Sequence, residues 1–233
     1  MRRWRAIAAL AWHDTRTARR RLVVSVSAIS LGIAALVATD SFSSDVVRSV
    51  REQSRALLGA DLSLSANQKF TAPVDSVLAA LEAQGARVGR STTFASMATI
   101  VGHPGTRLAQ VRAVSAEVPF YGAIVTDPPG RWGALQEGRR ALVDEALLIA
   151  LGARVGDTLF LGYARFAIIG TLKNVPGDVG VATAFGPRVY IADKWLEETR
   201  LLGFGSRAQY EALVQLPATL SPARVVARAR PVL

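Results

Sequence analysis

The stretch LVVSVSAISLGIAALVAT, Leu22 to Thr39, has no charged side chain and lies between Arg19-Arg20-Arg21 and Asp40. As a helix it would be roughly 27 Å long at about 1.5 Å per residue, close to the thickness of the hydrocarbon core of a bilayer. No other stretch of the chain is as long and as free of charge. The sequence therefore predicts a single N-terminal transmembrane helix at 22–42.

Two other interpretations of this stretch stay open. A cleaved signal peptide also has a basic start and an apolar core, but its cleavage site needs small residues in an A-x-A-like pattern, and Leu36 precedes Ala38 here. A buried helix of a soluble protein is normally shorter and carries a polar face. A retained anchor fits the length and the flanks best.

The arginines before the stretch predict its orientation. Residues 1–21 hold seven of them, and those next to the apolar stretch, Arg16, Arg19, Arg20 and Arg21, form the topology signal. Positive charge beside the first span marks the cytoplasmic side of a membrane. We therefore expect a cytoplasmic N-terminus, with residues 4–12 as an interfacial helix or an ordinary anchor flank, and the main domain in the periplasm or outside the cell.

The distribution of charge argues against a nucleic-acid binder. Of the net charge of +10, +6 falls in residues 1–21 and +3 in the tail from Pro222, so residues 22–221 carry only +1. A protein that grips phosphates needs its basic residues on the folded domain. The N-terminal cluster fits a topology signal that also contacts anionic membrane lipid.

The chain has no cysteine. A domain this large can be stable without disulfides, so the absence does not indicate whether its compartment is oxidising.

Small side chains recur along one face of the predicted membrane helix. They are Ala28, Gly32, Ala35 and Thr39, spaced four, three and four residues apart. Small residues let two transmembrane helices approach closely. We expect this face to pack against a partner helix, on another chain or on another part of the same protein.

Helical spacing of apolar residues continues beyond the membrane stretch. Phe42, Val46, Val50 and Leu57 follow it, so the helix is predicted to extend outward as a stalk at 43–58 and to stop at Gly59. Residues 59–217 then alternate between strand and helix patterns, which predicts a mixed α/β (α+β) extracytoplasmic domain on the single helix and its stalk.

Several elements of this domain can be placed. Strands are predicted at 61–65, 87–101, 107–115, 157–161, 165–172, 188–191 and 207–216, and helices at 73–84, 141–151 and 193–199. The run Asp127-Pro128-Pro129-Gly130 either separates subdomains or turns a loop, and 174–187 is the longest irregular piece.

No catalytic arrangement emerges. His13 and His103 are predicted on opposite sides of the membrane, so they cannot form a shared metal site or dyad. Neither a G-x-S-x-G nucleophile elbow nor a G-x-x-x-x-G-K-[ST] phosphate loop is present. Asp144 and Glu145, adjacent on a predicted helix, point about 100° apart, which suits no carboxylate pair. We expect no enzyme, no metal site and no bound cofactor in this chain.

Four short runs carry a family resemblance. They are Leu57-Leu58-Gly59-Ala60-Asp61-Leu62, Ala141–Leu147 with Leu151-Gly152, Val155-Gly156-Asp157-Thr158-Leu159, and 201–207. In this order they resemble the FtsX-like permeases of ABC transporters, with a MacB-type periplasmic core domain, and are closest to the YbbP-type permeases. The likeness covers most of residues 10–215.

The resemblance implies a role that the residues alone do not. Such permeases are dimeric, sit in the bacterial inner membrane and work with a separate ABC ATPase subunit that binds ATP. ATP hydrolysis in the cytosol moves the stalk helices, and the periplasmic domain acts on lipid, lipoprotein or other hydrophobic cargo. This is called mechanotransmission.

One feature departs from the family. Its permeases have at least four membrane spans, so residues 218–233 are expected to be the truncated start of a return helix and the chain an N-terminal fragment. It would then need the missing C-terminal permease spans or a second permease copy as partner. Two alternatives stay open, a self-contained membrane-anchored periplasmic binding or interaction module and an anchored hydrolase.

Overall fold

The computed structural model describes residues 23–46, 49, 58–175, 186–203 and 206–229. The chain divides into two units, Met1–Glu52 and Gln53–Leu233, which are described separately. The topology arginines and residues 4–12 lie outside the described residues. Most of the predicted stalk does as well, since only 43–46, Ser49 and Leu58 are described.

The first unit contains one long helix, α1 (Val23–Val46). Among the described residues it is the one helix that is long and apolar enough to cross a membrane. Its side chains are exposed in the single chain. The residues between Thr39 and Val46 continue the helix without a break, as the helical spacing predicted.

The second unit, which we call the core domain, holds nine strands and five shorter helices in its described residues. The strands are β1 (Leu62–Ala66), β2 (Arg87–Ile100), β3 (Thr106–Val114), β4 (Val125–Asp127), β5 (Arg140–Asp144), β6 (Thr158–Leu161), β7 (Ala164–Asn174), β8 (Arg188–Ala192) and β9 (Ala208–Gln215). The helices are α2 (Ala72–Ala83), α3 (Arg131–Ala134), α4 (Glu145–Leu151), α5 (Leu196–Thr199) and α6 (Pro222–Ala229), with a 3₁₀ turn at Asp193–Trp195. The mixed α/β class predicted from the sequence is confirmed.

Six of the strands close into a ring. β2, β3, β8, β5 and β7 pair in that order, and β6 pairs with both β7 and β2. The closing pairs are Ala98 with Leu161 and Leu161 with Ala164. Closure removes free edges from this part of the sheet. β9 and then β1 extend the sheet beyond the first half of β2, while β4 is added to β7.

Alternation along the strands separates two hydrophobic clusters. Val111, Val143 and Ile191 point to the inside of the ring, where α4 adds Leu147 and Leu151. Leu142 and Tyr190, which precede Val143 and Ile191 in the chain, point outward into a second cluster. This cluster also contains Val114 and is covered by Trp132 of α3. Both faces of the central strands are therefore buried.

A third cluster lies on the β1–β9 extension. Val74, Leu78 and Leu81 of α2 pack against Val214 of β9. Pro lies in the first turn of α2, as predicted, because its missing N–H is not needed there. Val225 of α6 packs against the same cluster, so α6 lies on the extension rather than on the ring.

The predicted helix at 141–151 is wrong in its first half. Arg140–Asp144 is strand β5, and only Glu145–Leu151 is helical, ending at Gly152 with a left-handed φ of 65° as expected. Leu142 and Val143 are both fully buried, one on each face of the sheet, between β7 and β8. A short apolar run that is buried on both faces has no periodicity that separates strand from helix. Asp144 and Glu145 therefore do not share a helix.

Two further elements, β4 and α3, were not predicted. They are three and four residues long and flank the Asp127–Gly130 run, which turns a loop inside the core domain rather than separating subdomains. The remaining predicted strands and the helices at 73–84 and 193–199 are present within one or two residues of their expected bounds. Residues 176–185 of the irregular piece lie outside the described part.

Candidate functional site at the start of the core domain

The chain segment just before β1 and the end of β9 meet at Asp61. Its backbone N–H donates to the Val214 carbonyl at 3.0 Å, and its carboxylate Oδ2 accepts the backbone N–H of Leu216 at 2.8 Å. Leu62 of β1 is paired with Val214 of β9 beside them. The chain thus enters and leaves the β1–β9 extension at the same end, and one carboxylate joins the two segments.

A loop from the outer face of the sheet is tied to the same point. The Tyr121 hydroxyl donates to Asp61 Oδ2 at 2.8 Å. The backbone N–H groups of Phe120 and Tyr121 donate to the Gly59 carbonyl at 2.9 and 3.3 Å. Ala60, only 1 % exposed, is buried in the outer cluster. We call this group of residues, Gly59, Ala60, Asp61, Tyr121 and Leu216, the junction.

Gly59 has a conformation that few other residues adopt. Its φ is +67°, and an added Cβ would lie 3.4 Å from the Cβ of Pro119. A glycine in the left-handed region is the common way to end a helix. Leu58 just before it is helical and half-exposed. A stalk helix that runs from residue 43 to Gly59 stays a prediction, because residues 47, 48 and 50–57 lie outside the described part of the chain. Leu57 lies outside the described residues.

The second motif, 155–159, lies elsewhere: its first three residues form the turn between α4 and β6, and its last two begin β6. Asp157 Oδ2 accepts the backbone N–H of Arg154 at 2.8 Å, and the N–H of Gly156, whose φ is +104°, donates to the Ile168 carbonyl at 2.8 Å. Val155 is exposed, while Leu159 is fully buried in the inner cluster. These contacts are those of a tight turn.

The two motifs stand at opposite ends of β2. Val88 near its start is paired with Val214, and Ile100 at its end is paired with Leu159. Twelve residues of strand separate them, about 40 Å along the chain at the usual rise. The structure therefore does not bring the predicted motif residues together into one site, and the first motif alone forms the junction.

The predicted packing face of α1 is present as a helical face. An added Cβ at Gly32 would meet no described residue within 4 Å, so on this part of the structure the face has room for a close neighbour. The Thr39 hydroxyl donates to the Ala35 carbonyl at 2.9 Å, which satisfies it within the helix. Ala28 lies on the same face by its spacing. That a partner helix covers this face stays a prediction.

Within the described ranges, no group of three or more His, Cys, Asp or Glu side chains is placed to hold a metal ion. His103 lies in the turn after β2, with Nε2 4.0 Å from Asp157 Oδ2. The Asp144 carboxylate forms an ion pair with Arg188, whose Nη2 donates to Oδ1 at 2.8 Å. The contacts at the junction hold separate segments of the core domain together.

Comparison with known proteins bears on the identity of the chain. The family model for the MacB-like periplasmic core domain matches residues 22–232. The chain belongs to the MacB-like periplasmic core domain family. An uncharacterised ABC transporter permease of Escherichia coli K12, YbbP, is 26 % identical over 199 residues, 85 % of this chain. The chain spans about a quarter (24 %) of the length of that relative. The resemblance carried by the sequence motifs is thereby confirmed.

Three solved structures show a likeness of fold. A domain of a putative permease from Porphyromonas gingivalis has a TM-score of 0.43 at 16 % identity, covering 63 % of this chain and 68 % of that one. The periplasmic region of MacB from Actinobacillus actinomycetemcomitans has a TM-score of 0.42 at 13 % identity, covering 75 % and 86 %. The extracellular domain of the noncanonic ABC-type transporter YknZ from Gram-positive bacteria has a TM-score of 0.43 at 13 % identity, covering 66 % and 75 %.

For this member of the MacB-like family, sequence reasoning found three of the five junction residues. Gly59, Ala60 and Asp61 were identified through the motif, but Tyr121 and Leu216 were not. They lie 60 and 155 residues further along the chain than Asp61. No local pattern signals contacts at such separations, and only the pairing of β1 with β9 brings Leu216 into place.

Proposed function

We propose that the chain is the N-terminal part of an ABC transporter permease subunit, in which ATP hydrolysis by a separate cytosolic ATPase moves the periplasmic core domain. Membership of the MacB-like periplasmic core domain family and the likeness to a permease support this role. The observation that carries it is the junction. Because Asp61 binds both Tyr121 and the Leu216 amide, a displacement of the chain before Gly59 is passed directly to two other parts of the core domain.

The proposal assigns the remaining parts of the chain as follows. Residues 1–21 are cytoplasmic, α1 crosses the bacterial inner membrane in contact with lipid, and the core domain is periplasmic or extracellular. The face with Gly32 packs against further permease spans or a second permease copy. The segment 218–233, which contains α6, leads back towards the membrane.

The cargo proposed is lipid, lipoprotein or another hydrophobic molecule, which the core domain moves rather than conducts through a pore. ATP is bound by the partner subunit alone, and we expect no ATPase or hydrolase activity of this chain. Both expectations rest on the family likeness and on the catalytic motifs that the sequence lacks.

A distance measurement tests the coupling. Because the chain has no cysteine, Ser44→Cys and Asn67→Cys give two unique spin-label positions, one in α1 and one in the core domain. The labelled protein is purified from its native membrane with its associated ABC ATPase and reconstituted in liposomes. Pulsed electron spin resonance then measures the label-to-label distance with and without ATP and Mg²⁺. We expect the distribution to shift with ATP.

Two variants separate coupling from general damage. Asp61→Ala should abolish the shift while ATP turnover continues. The control is Asp157→Ala. The Asp157 carboxylate also accepts a backbone N–H at 2.8 Å, but it lies at the second motif and not at the junction. This variant should leave the shift intact. If no ABC ATPase accompanies the protein, and the distance is the same with and without ATP, the permease role is wrong and a self-contained anchored module is the better explanation.

A further inference from the structure

A large polar cleft lies in the core domain, away from the junction. It opens between α2 and β2 on one side and the segment 193–203 on the other, and it encloses about 860 Å³. Small-molecule sites in proteins typically measure about 300–1,000 Å³ and combine an apolar lining with a few convergent polar groups. Phe70, Leu196 and Leu202 supply the apolar part here. The cleft has the size and the lining of a binding site.

Two cations at the cleft have no acidic partner in the part of the chain that the structure describes. They are Lys69 and Arg200, neither of which lies within 4 Å of a carboxylate there. Arg90, which also lines the cleft, is held by Asp75 with Nη2 2.9 Å from Oδ1. Lys194 donates to the Gln136 carbonyl instead. The Arg200 guanidinium lies over the Tyr163 ring, 5.5 Å from its centroid, but its N–H groups make no hydrogen bond to another described residue. Lys69 and the guanidinium N–H groups of Arg200 are therefore available to an anionic group.

Two acids of the cleft, on the same segment 193–203 as Arg200, are likewise without a partner among the described residues. Asp193 and Glu197 are four residues apart, and neither carboxylate accepts a hydrogen bond or forms an ion pair among the described residues. Asp193 is partly buried, and this burial is the main cause that raises its pKa; Glu197 also raises the pKa, whereas Arg90 and Lys69 oppose the shift. The charges from both walls thus act on the same carboxyl group.

The floor of the cleft offers further hydrogen-bonding groups. Thr92 of β2 and Tyr210 of β9 are paired neighbours in the sheet, and both line the cleft. Neither hydroxyl has a hydrogen-bond partner among the residues that the structure describes. Buried polar groups are normally satisfied, so groups left open in a cleft are suited to water or a ligand.

We propose that this cleft binds a zwitterionic ligand, one that carries a primary ammonium group together with a phosphate or carboxylate group. The ammonium group meets Asp193 and Glu197, and the anionic group meets Lys69 and Arg200. A ligand of one sign alone would be repelled by half of the open charges, and an apolar ligand would leave all of them desolvated. The proposal does not depend on coupling to an ATPase.

Calorimetric titration of the full chain in an alkyl maltoside detergent tests it. O-Phosphoethanolamine carries ammonium and phosphate, as a lipid headgroup does, and glycylglycine carries ammonium and carboxylate, as a peptide does. We expect at least one to bind, and the tighter of the two identifies the anionic group. Inorganic phosphate and ethanolamine, each holding half of the ligand, should bind at least about tenfold more weakly. If neither zwitterion binds at millimolar concentration, or if phosphate alone binds as tightly, the proposal fails.

Matched variants locate the binding. Glu197→Gln and Arg200→Gln should each weaken it about tenfold, because each removes one charge partner. Glu82→Gln and Arg107→Gln make the same exchanges at exposed positions outside the cleft and should leave binding unchanged. Circular dichroism verifies folding, and Lys69→Gln replaces Arg200→Gln if that variant does not fold. Equal weakening by the controls would overturn the assignment.

Discussion

Replacing Asp144 with alanine should lower the free energy of unfolding of the core domain by about 3 kcal/mol. Arg188 donates three hydrogen bonds to the Asp144 carboxylate. Its Nη2 donates to Oδ1 at 2.8 Å, and its Nε and its backbone N–H donate to Oδ2 at 2.9 and 2.8 Å. Each side chain is only 18 % exposed. Removing one partner of a buried pair costs about 3–5 kcal/mol, and the remaining exposure places this pair at the lower end.

Urea denaturation of the full chain in a mild detergent, followed by near-ultraviolet circular dichroism, measures the loss. For a domain of this size the free energy falls by about 2 kcal/mol per molar urea. A loss of about 3 kcal/mol therefore moves the unfolding midpoint by about 1.5 M. The contact ties the end of β5 to the start of β8, so Asp144→Ala should also increase amide exchange at Arg188.

The control is an exposed ion pair of the same domain. Glu137 and Arg140 lie 2.8 Å apart and are 72 % and 36 % exposed. Glu137→Ala should cost less than about 0.5 kcal/mol, because exposed pairs contribute little. The reasoning is refuted if Asp144→Ala is no more harmful than this control. It is equally refuted if Arg188→Ala costs as much in the Asp144→Ala background as in the wild type, since the two residues would then be uncoupled.

Three further predictions concern topology, titration and backbone. In intact cells a membrane-impermeant maleimide should label Asn67→Cys but not Thr15→Cys; the reverse pattern would contradict the cytoplasmic N-terminus. Burial raises the pKa of Asp193 above its ordinary value of 3.8, so the wild-type protein loses stability as pH rises from 3.8 through the raised pKa. Asp193→Asn removes this loss. The variant should therefore melt at the same temperature as the wild type in acid and at a higher temperature at neutral pH. Gly59→Ala should destabilise the core domain by about 1 kcal/mol because of its positive φ, whereas Gly133→Ala, in a helix with free space around it, should not, as urea denaturation would show.

Elements with local signals could be predicted from the sequence. α2 begins with a proline in its first turn, buries Val74, Leu78 and Leu81 at helical spacing, and is followed by Gly85 with a φ of +88°. The turn between β2 and β3 contains Gly102 and Gly105, both with positive φ. In each case the residue types at a few neighbouring positions determine the backbone conformation.

Features that depend on tertiary contacts could not be predicted. β5 was mistaken for helix because strands buried on both faces show no alternation. Ring closure depends on β6, a four-residue strand that pairs with β2 and β7 on its two sides. The cleft joins Lys69 to residues near Arg200, more than a hundred positions away in the chain. None of these long-range contacts can be predicted from local patterns in a single sequence.

The position of Asp61 has a mechanical reason. In the described part of the chain β1 pairs with β9 alone, through five residue pairs from Leu62 to Ala66. A strand that is pulled from one end can separate from its neighbour one hydrogen bond after another, because the bonds nearest the pull bear the load first. Under the proposed transmission the pull arrives from Gly59, at the Leu62 end. The bonds of Asp61 to Tyr121 and to the Leu216 amide lie outside the ladder at that end, so they share the load before any bond of β1 is stretched.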